Sequence, residues 1–188
     1  MTDQLEARIA AIEAREHIRE LVVRYGMAVD DRDMVTVAAI FTEDAVFRHG
    51  DDSIVNHGRQ EIVDFYTDRL KAFGATYHYP HSHLIELDDA DHASGVVCAH
   101  AELGIDGRTY ITALRYHDQY RRDDGVWLFA ERRLAMLYYM DMAELADGGL
   151  SVADRKRYFG TIGAAEIPEK LDTWKQFFAG AEQGAAAI

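Results

Sequence analysis

The chain has 188 residues, 48% of them hydrophobic, and a formal net charge of −13. That length and apolar content suit one domain with its own core, while the acidic balance opposes the clustered Lys and Arg that nucleic acid or an anionic membrane would require. A single cysteine, Cys98, rules out an intrachain disulfide, and no apolar run approaches the roughly 18 residues of a membrane span, so a reduced cytoplasm is the simplest expected location and no targeting segment is read at the polar N-terminus.

Residues 4 to about 31 carry one helical pattern in which Ile18, Leu21, Val22, Tyr25 and Val29 share a face. It ends at Asp30-Asp31-Arg32-Asp33, where Asp33 is placed to cap a second helix through Val35, Val37, Ala38 and Phe41. Residues 45–47 read as a short strand, 50–53 as a loop and 59–73 as a third helix burying Ile62, Val63, Phe65, Tyr66 and Leu70. From residue 75 the period changes to alternation. Residues 88–91, Asp106-Gly107 and Asp124-Gly125 separate four runs, 75–87, 93–105, 108–122 and 126–140; Asp-Gly between such runs signals a hairpin, because the turn needs positive φ. After Asp147-Gly148-Gly149, residues 152–159 and 168–178 are amphipathic and 180–188 form an Ala/Gly-rich tail expected to fray.

Helices followed by a long meander argue an α+β fold, with the helices packed on a strongly curved antiparallel sheet that closes at one end around a pocket. Residues 1–147 would form this domain and 148–188 a helical extension of it. The extension holds Val152, Tyr158, Phe159, Ile162, Ile167, Leu171, Trp174, Phe177 and Phe178, too apolar for a free tail, so it is expected to lid the pocket or to meet a neighbouring subunit.

The chemistry centres on His78, which is either a structural histidine in an aromatic strand or a base near neutral pH. Asp30 is an unfavourable acid at a helix C-terminus, which asks for a compensating reason; Asp31 is the alternative. Tyr25 lies on the apolar stripe, so it is core or a donor to developing oxyanion charge. Five residues, roughly 140° of helix, separate it from Asp30, and both reach one pocket only if the helix end bends. Arg132 either pairs with Glu131 or Asp118 or steadies a leaving oxygen or substrate carboxylate. His78, His81 and His83 invite a metal reading, but alternation puts His81 and His83 on one face and His78 on the other unless Pro80 introduces a bulge, so no metal is expected. Cys98, His100 and His117 read as ordinary strand residues.

Ile18-Arg19-Glu20-Leu21, Tyr25, Asp30, Ile40-Phe41-Thr42-Glu43-Asp44-Ala45 and Gly58-Arg59, in that order, resemble the SnoaL-like branch of the NTF2-like superfamily over about residues 5–140. The resemblance implies a cone-shaped α+β barrel. Within the branch, His78-Tyr79, Leu84-x-Glu86 and the run from Asp118 to Phe129 are similar to hexachlorocyclohexane dehydrochlorinases; Thr76-x-His78 and the run from Asp124 to Ala130 to scytalone dehydratases; Tyr25-x4-Asp30 with His78 to bile acid 7α-dehydratases. In these lyases an Asp-paired His removes a proton while a hydroxyl or halide leaves, without a cofactor. By resemblance Asp30 and His78 fall on that pair, Arg132 on the dehydrochlorinase arginine, and Tyr25 where those enzymes carry lysine. Leu114, Tyr116 and Leu103 replace the Ser, Asn and second His of scytalone dehydratases.

The resemblance sets Ala99 and Ala101 on the pocket wall, where with Phe47, Tyr116, Leu134, Met136 and Tyr138 they would line a wide aromatic chamber for a fused-ring substrate. The implied activity is dehydration of a hydroxylated polycyclic compound such as a steroid or aromatic polyketide. Isomerisation, dehydrohalogenation and a non-catalytic binding or accessory role are the alternatives. The relatives imply a homotrimer, or a homodimer as in the wider superfamily.

Overall fold

Residues 2–158 and 160–185 are described by a computed structural model of the chain. Met1, Phe159 and the last three tail residues, 186–188, lie outside them. Helix α1 spans Thr2–Asp31, α2 Met34–Ala39 and α3 Gly58–Arg69. Strands β1 (Phe41–His49) and β2 (Val55–His57) interleave with these helices, and β3 (Thr76–Leu87), β4 (His92–Ile105), β5 (Arg108–Asp123) and β6 (Val126–Asp141) form the meander. Beyond a short helix, α4 (Met142–Ala146), the chain makes a hairpin of β7 (Lys156–Tyr158) and β8 (Thr161–Gly163) and ends in α5 (Asp172–Ala185).

The strands form one curved, unclosed sheet in the order β2-β1-β6-β5-β4-β3. Its pairings are antiparallel except along one edge of β6, where β1 and then β7 run parallel to it. Hairpin chemistry fixes the meander. Asp106-Gly107 and Asp124-Gly125 take φ of 49° and 75°, and 49° and 84°, the left-handed pair that a two-residue turn matched to sheet twist needs.

Three departures from the local pattern have tertiary causes. Phe41 begins β1 instead of ending α2, because it pairs with Phe129 on β6 and the Phe129 amide donates to the Ile40 carbonyl; β1 is accordingly nine residues long. Within the segment read as amphipathic at 152–159, Lys156–Tyr158 form a strand of a hairpin, with Lys156 paired to Tyr139 on β6. Helix α5 continues through Ala185, into the stretch expected to fray. Asp33 caps α2 as expected, accepting from the Thr36 amide.

The core lies between the inner face of the sheet and the buried faces of α1 and α3, with Ile18, Leu21, Val22, Val29, Ile62, Val97 and Phe129 nearly excluded from solvent. No helix among the described residues is long and apolar enough to cross a membrane.

Candidate active site

Helix α1 delivers Asp30 to the start of β3. Its Oδ1 lies 2.6 Å from His78 Nδ1 and accepts from the Thr76 hydroxyl at 2.9 Å, and its Oδ2 accepts from the His78 backbone amide at 2.7 Å. Burial pushes the Asp30 carboxyl up, but the His78 ring and amide and the Thr76 hydroxyl together hold it below its ordinary value. An ionised Asp30 accepting at Nδ1 leaves Nε2 of the neutral imidazole as the lone-pair nitrogen. Nothing among the described residues hydrogen-bonds to Nε2, and His78 lines the cavity.

Two residues unremarked in the sequence make that approach possible. Gly26 faces β3, and a Cβ there would stand 3.2 Å from His78 Cβ, tighter than ordinary contact. Arg32 follows the helix end at φ 60°. Its guanidinium donates to the Val29 and Asp30 carbonyls, the Thr76 hydroxyl and the Gly74 carbonyl. A cation on the last carbonyls offsets the cost of an acid at a helix C-terminus, and the same cation staples α1 to β3. The helix stays helical through Asp31. Asp30 faces β3 while Tyr25, about 140° round, faces the cavity, so the two share the site through His78.

The cavity between α1, α3 and the inner sheet face has a volume of about 90 Å³. Its walls are apolar and aromatic, with Tyr25, Tyr66, Tyr116 and His78 toward one end. The Tyr25 and Tyr66 hydroxyls are 2.5 Å apart, and Tyr116 also hydrogen-bonds to Tyr25. Burial raises the pKa of all three phenols, so they stay protonated donors at neutral pH.

The SnoaL-like domain profile matches residues 10–133. The chain belongs to the SnoaL-like family. No protein with a curated description matches this SnoaL-like protein in sequence. Among solved structures it is similar to LinA, a hexachlorocyclohexane dehydrochlorinase, at 24% identity and TM-score 0.68 over 72% of this chain and 94% of that one. It is also similar to a scytalone dehydratase-like protein from Novosphingobium aromaticivorans, at 20% identity and TM-score 0.66 over 75% and 91%. An aromatic-ring-hydroxylase-like protein from the same organism gives 28% identity and TM-score 0.65 over 72% and 97%. The likenesses at 24% and 20% speak for the fold alone.

Of the wall residues expected from the sequence, Phe47, Ala101, Tyr116, Leu134 and Met136 line the cavity of this SnoaL-like protein; Ala99 and Tyr138 do not. Ala99 shares the inward face with Ala101, but a two-residue step displaces it by roughly 6–7 Å, beyond the cavity. Tyr138 is turned outward by a bulge. Ala113 pairs with Tyr138 but Leu114 with Met136, so Leu137 is an extra residue on β6 and inverts the parity that follows it. Tyr138 therefore packs with Ala113 and Met140, and Tyr139 faces the cavity in its place.

A bulge also rearranges the histidines. Pro80 pairs with Ala99 and His83 with Val97, leaving one extra residue on β3 between them. His78 and His83 consequently share the inward face, and His81 meets His100 at 2.8 Å on the other. The three do not converge.

Arg132 does not reach the cavity either, which corrects the expectation that it touches substrate. A further bulge at Ala130, between the pairs Gln119–Glu131 and Tyr120–Phe129, points it inward. There it forms a two-bond pair with Asp118, at 3.0 and 2.8 Å, with both side chains fully buried. Tyr120 donates to Asp118 at 2.8 Å and meets His83 Nε2 at 3.1 Å. The guanidinium is sandwiched by the rings of Tyr25, Tyr116 and Phe129, 3.9–4.2 Å away. Burial works against its charge, and the Asp118 carboxylate more than offsets that.

His49, on β1, lines the cavity and is only 2% exposed. Burial, helped by the charge of Lys156, pushes it down to about 4; burial also pushes His83 down to about 4. A histidine whose folded pKa lies below its unfolded value of about 6.5 gives stability that is complete above pH ~6.5 and lost as pH falls toward 4. Urea denaturation at pH 7 and pH 4.5 is expected to show this loss, with His49 contributing at most about 3 kcal/mol. The His49→Leu variant should have a flatter profile across that window; an unchanged slope would contradict a neutral buried His49.

Proposed function

We propose that this protein is a cofactor-independent lyase that dehydrates a hydroxylated cyclic ketone. The observation that carries the reading is the Asp30–His78 contact of 2.6 Å at the wall of a mostly apolar cavity. His78 Nε2 takes the proton from the carbon next to the carbonyl, and the C–H electron pair moves into the carbonyl to leave an enolate oxygen. The phenol of Tyr25, with Tyr66 and Tyr116 behind it, donates to that oxygen. The enolate then collapses to the conjugated ketone, expelling the β-hydroxyl, which takes the proton back from the imidazolium and departs as water. Asp30 holds the ring in the accepting tautomer and stabilises the imidazolium. Arg132 acts from behind the wall, its positive charge beneath the Tyr25 and Tyr116 rings favouring negative charge on their hydroxyl side.

The cavity volume restricts the substrate. An apolar cavity of about 150 Å³ accepts a benzene ring, so about 90 Å³ takes a single small ring after modest side-chain adjustment. A steroid-sized substrate exceeds this volume and requires a much larger rearrangement of the lining. We therefore place one- or two-ring substrates ahead of polycyclic ones.

A second reading is a non-catalytic binding or accessory role, but such a role needs no Asp–His pair. Product analysis on hydroxycyclohexanones, hydroxytetralones and hydroxysteroids tests both. Loss of water is the expected result. A shifted double bond at unchanged mass would mark an isomerase, chloride release from chlorinated rings a dehydrohalogenase, and tight binding of the panel without turnover the accessory role.

We also propose that residues 148–185 act as a fixed lid and subunit contact in a homotrimer. Lys156 bonds Asp51, Arg155 donates to the Leu137 carbonyl and Glu166 accepts from the Met136 amide, so the segment is tied to the sheet domain, while Trp174, Phe177 and Phe178 stay exposed. Solution mass should be three times that of the chain, and truncation after Asp147 should lower turnover; a monomer, or unchanged turnover, would contradict the corresponding half.

A further inference from the structure

The cavity has a second polar end that the proposed chemistry leaves unused. His49 on β1 and Tyr139 on β6, both 2% exposed, line it there. Both pack against the Tyr158 ring of β7, with centroids 5.1 and 5.4 Å away. The His49 Nδ1 and the Tyr139 hydroxyl are each buried with no hydrogen-bond partner among the described residues. Buried polar atoms are almost always paired, so two orphans on one cavity wall mark a place for polar ligand atoms. Tyr158 lies beyond residues 10–133, so this end is completed by the extension and not by the family domain.

We propose that His49 and Tyr139 bind an oxygen at the end of the substrate remote from His78. The substrate class is thereby a ring with two oxygen functions, the reacting one at His78 and a neutral hydroxyl or carbonyl at the other end. This rests on the cavity being the substrate site. The chemistry of the pair fits a neutral oxygen: a hydroxyl donates to an imidazole nitrogen and accepts from the phenol, and a carbonyl accepts from the phenol and a ring N–H. A carboxylate fits less well, since Lys156 is already bonded to Asp51 and Glu166 and an anion would enter a mainly apolar space. Arg69, on the same wall, lies over the Phe65 and Tyr158 rings.

Calorimetric binding of cyclohexanone, 4-hydroxycyclohexanone and cyclohexanecarboxylate, with ¹⁵N resonances of the histidine side chains, tests the proposal on the full chain. The 4-hydroxy compound is expected to bind about tenfold more tightly than cyclohexanone, one additional hydrogen bond's worth, and to shift the His49 imidazole signal. His49→Leu and Tyr139→Phe should each bring the ratio close to one. Should the leucine variant fail to fold, Tyr139→Phe, which removes one oxygen, carries the test. The ratio should persist in His78→Ala, which lacks the proposed base, so failure of this inference is distinguishable from failure of the lyase reading. Equal binding of the two ketones, an unmoved His49 signal, a ratio that survives Tyr139→Phe, or preference for the carboxylate would each overturn it.

Discussion

Replacing Asp30 with Asn is expected to cut elimination by about 10²- to 10⁴-fold while the protein stays folded. The carboxylate accepts three bonds, from the His78 ring, the His78 amide and the Thr76 hydroxyl. An amide has one acceptor oxygen and two N–H donors, so one of those contacts must be lost or reversed. If the amide N–H faces Nδ1, the proton moves to Nε2 and the ring can no longer accept one from substrate. His78→Ala removes the base outright and should cost at least as much. Initial rates of water loss, with thermal melts to show that both variants are folded, measure the effect; wild-type turnover in either would remove the acid-base assignment. The same substitution has a stability signature. The Asp30 pKa is held below its unfolded value of about 3.9, so its contribution is present above that pH and lost as pH falls through the depressed folded value. The Asp30→Asn variant should therefore be less stable than wild type at neutral pH, and the gap should close below about pH 4.

Asp118→Ala is expected to destabilise the fold by about 3–5 kcal/mol, the cost of leaving a buried charge without its partner. Arg132 has no exposure, and its Nη1 already lacks a hydrogen bond among the described residues, so removal of Asp118 would strand the whole guanidinium. Replacing both, Asp118→Leu with Arg132→Met, should recover much of the loss, because an apolar pair needs no compensation. Urea denaturation of Asp118→Leu, Arg132→Met and the double variant separates the terms. If Asp118→Leu alone left stability unchanged, the buried pair would not hold the fold as its geometry implies.

The architecture was legible because its signals are local: a helical stripe through Tyr25 and Val29, the Asp-Gly pairs at 106–107 and 124–125, and alternation between them. The pairing of Asp30 with His78 was legible only by resemblance, since 48 positions separate the two. Three features were hidden or left as alternatives for one physical reason. Bulges at Leu137, at Ala130 and just after Pro80 each invert strand parity, and a bulge is set by how neighbouring strands close on a curved sheet, which alternation along one strand does not record. They turn Tyr138 out and Tyr139 in, aim Arg132 at Asp118, and separate His81 from His83. Gly26 and Arg32 carried a weak signal, a glycine inside a helix and a basic residue just after an acidic helix end, whose meaning depends on β3 lying alongside.

Whether Asp30 holds His78 with an unprotonated Nε2 facing the cavity is read directly from the imidazole ¹⁵N spectrum of His78, without knowledge of the substrate. In the neutral ring of wild type the proton is predicted on Nδ1, with Nε2 giving the lone-pair signal, and Asp30→Asn should shift the population toward protonation at Nε2. A wild-type His78 that carries its proton on Nε2, or a tautomer indifferent to Asp30→Asn, would mean that Asp30 does not set the base.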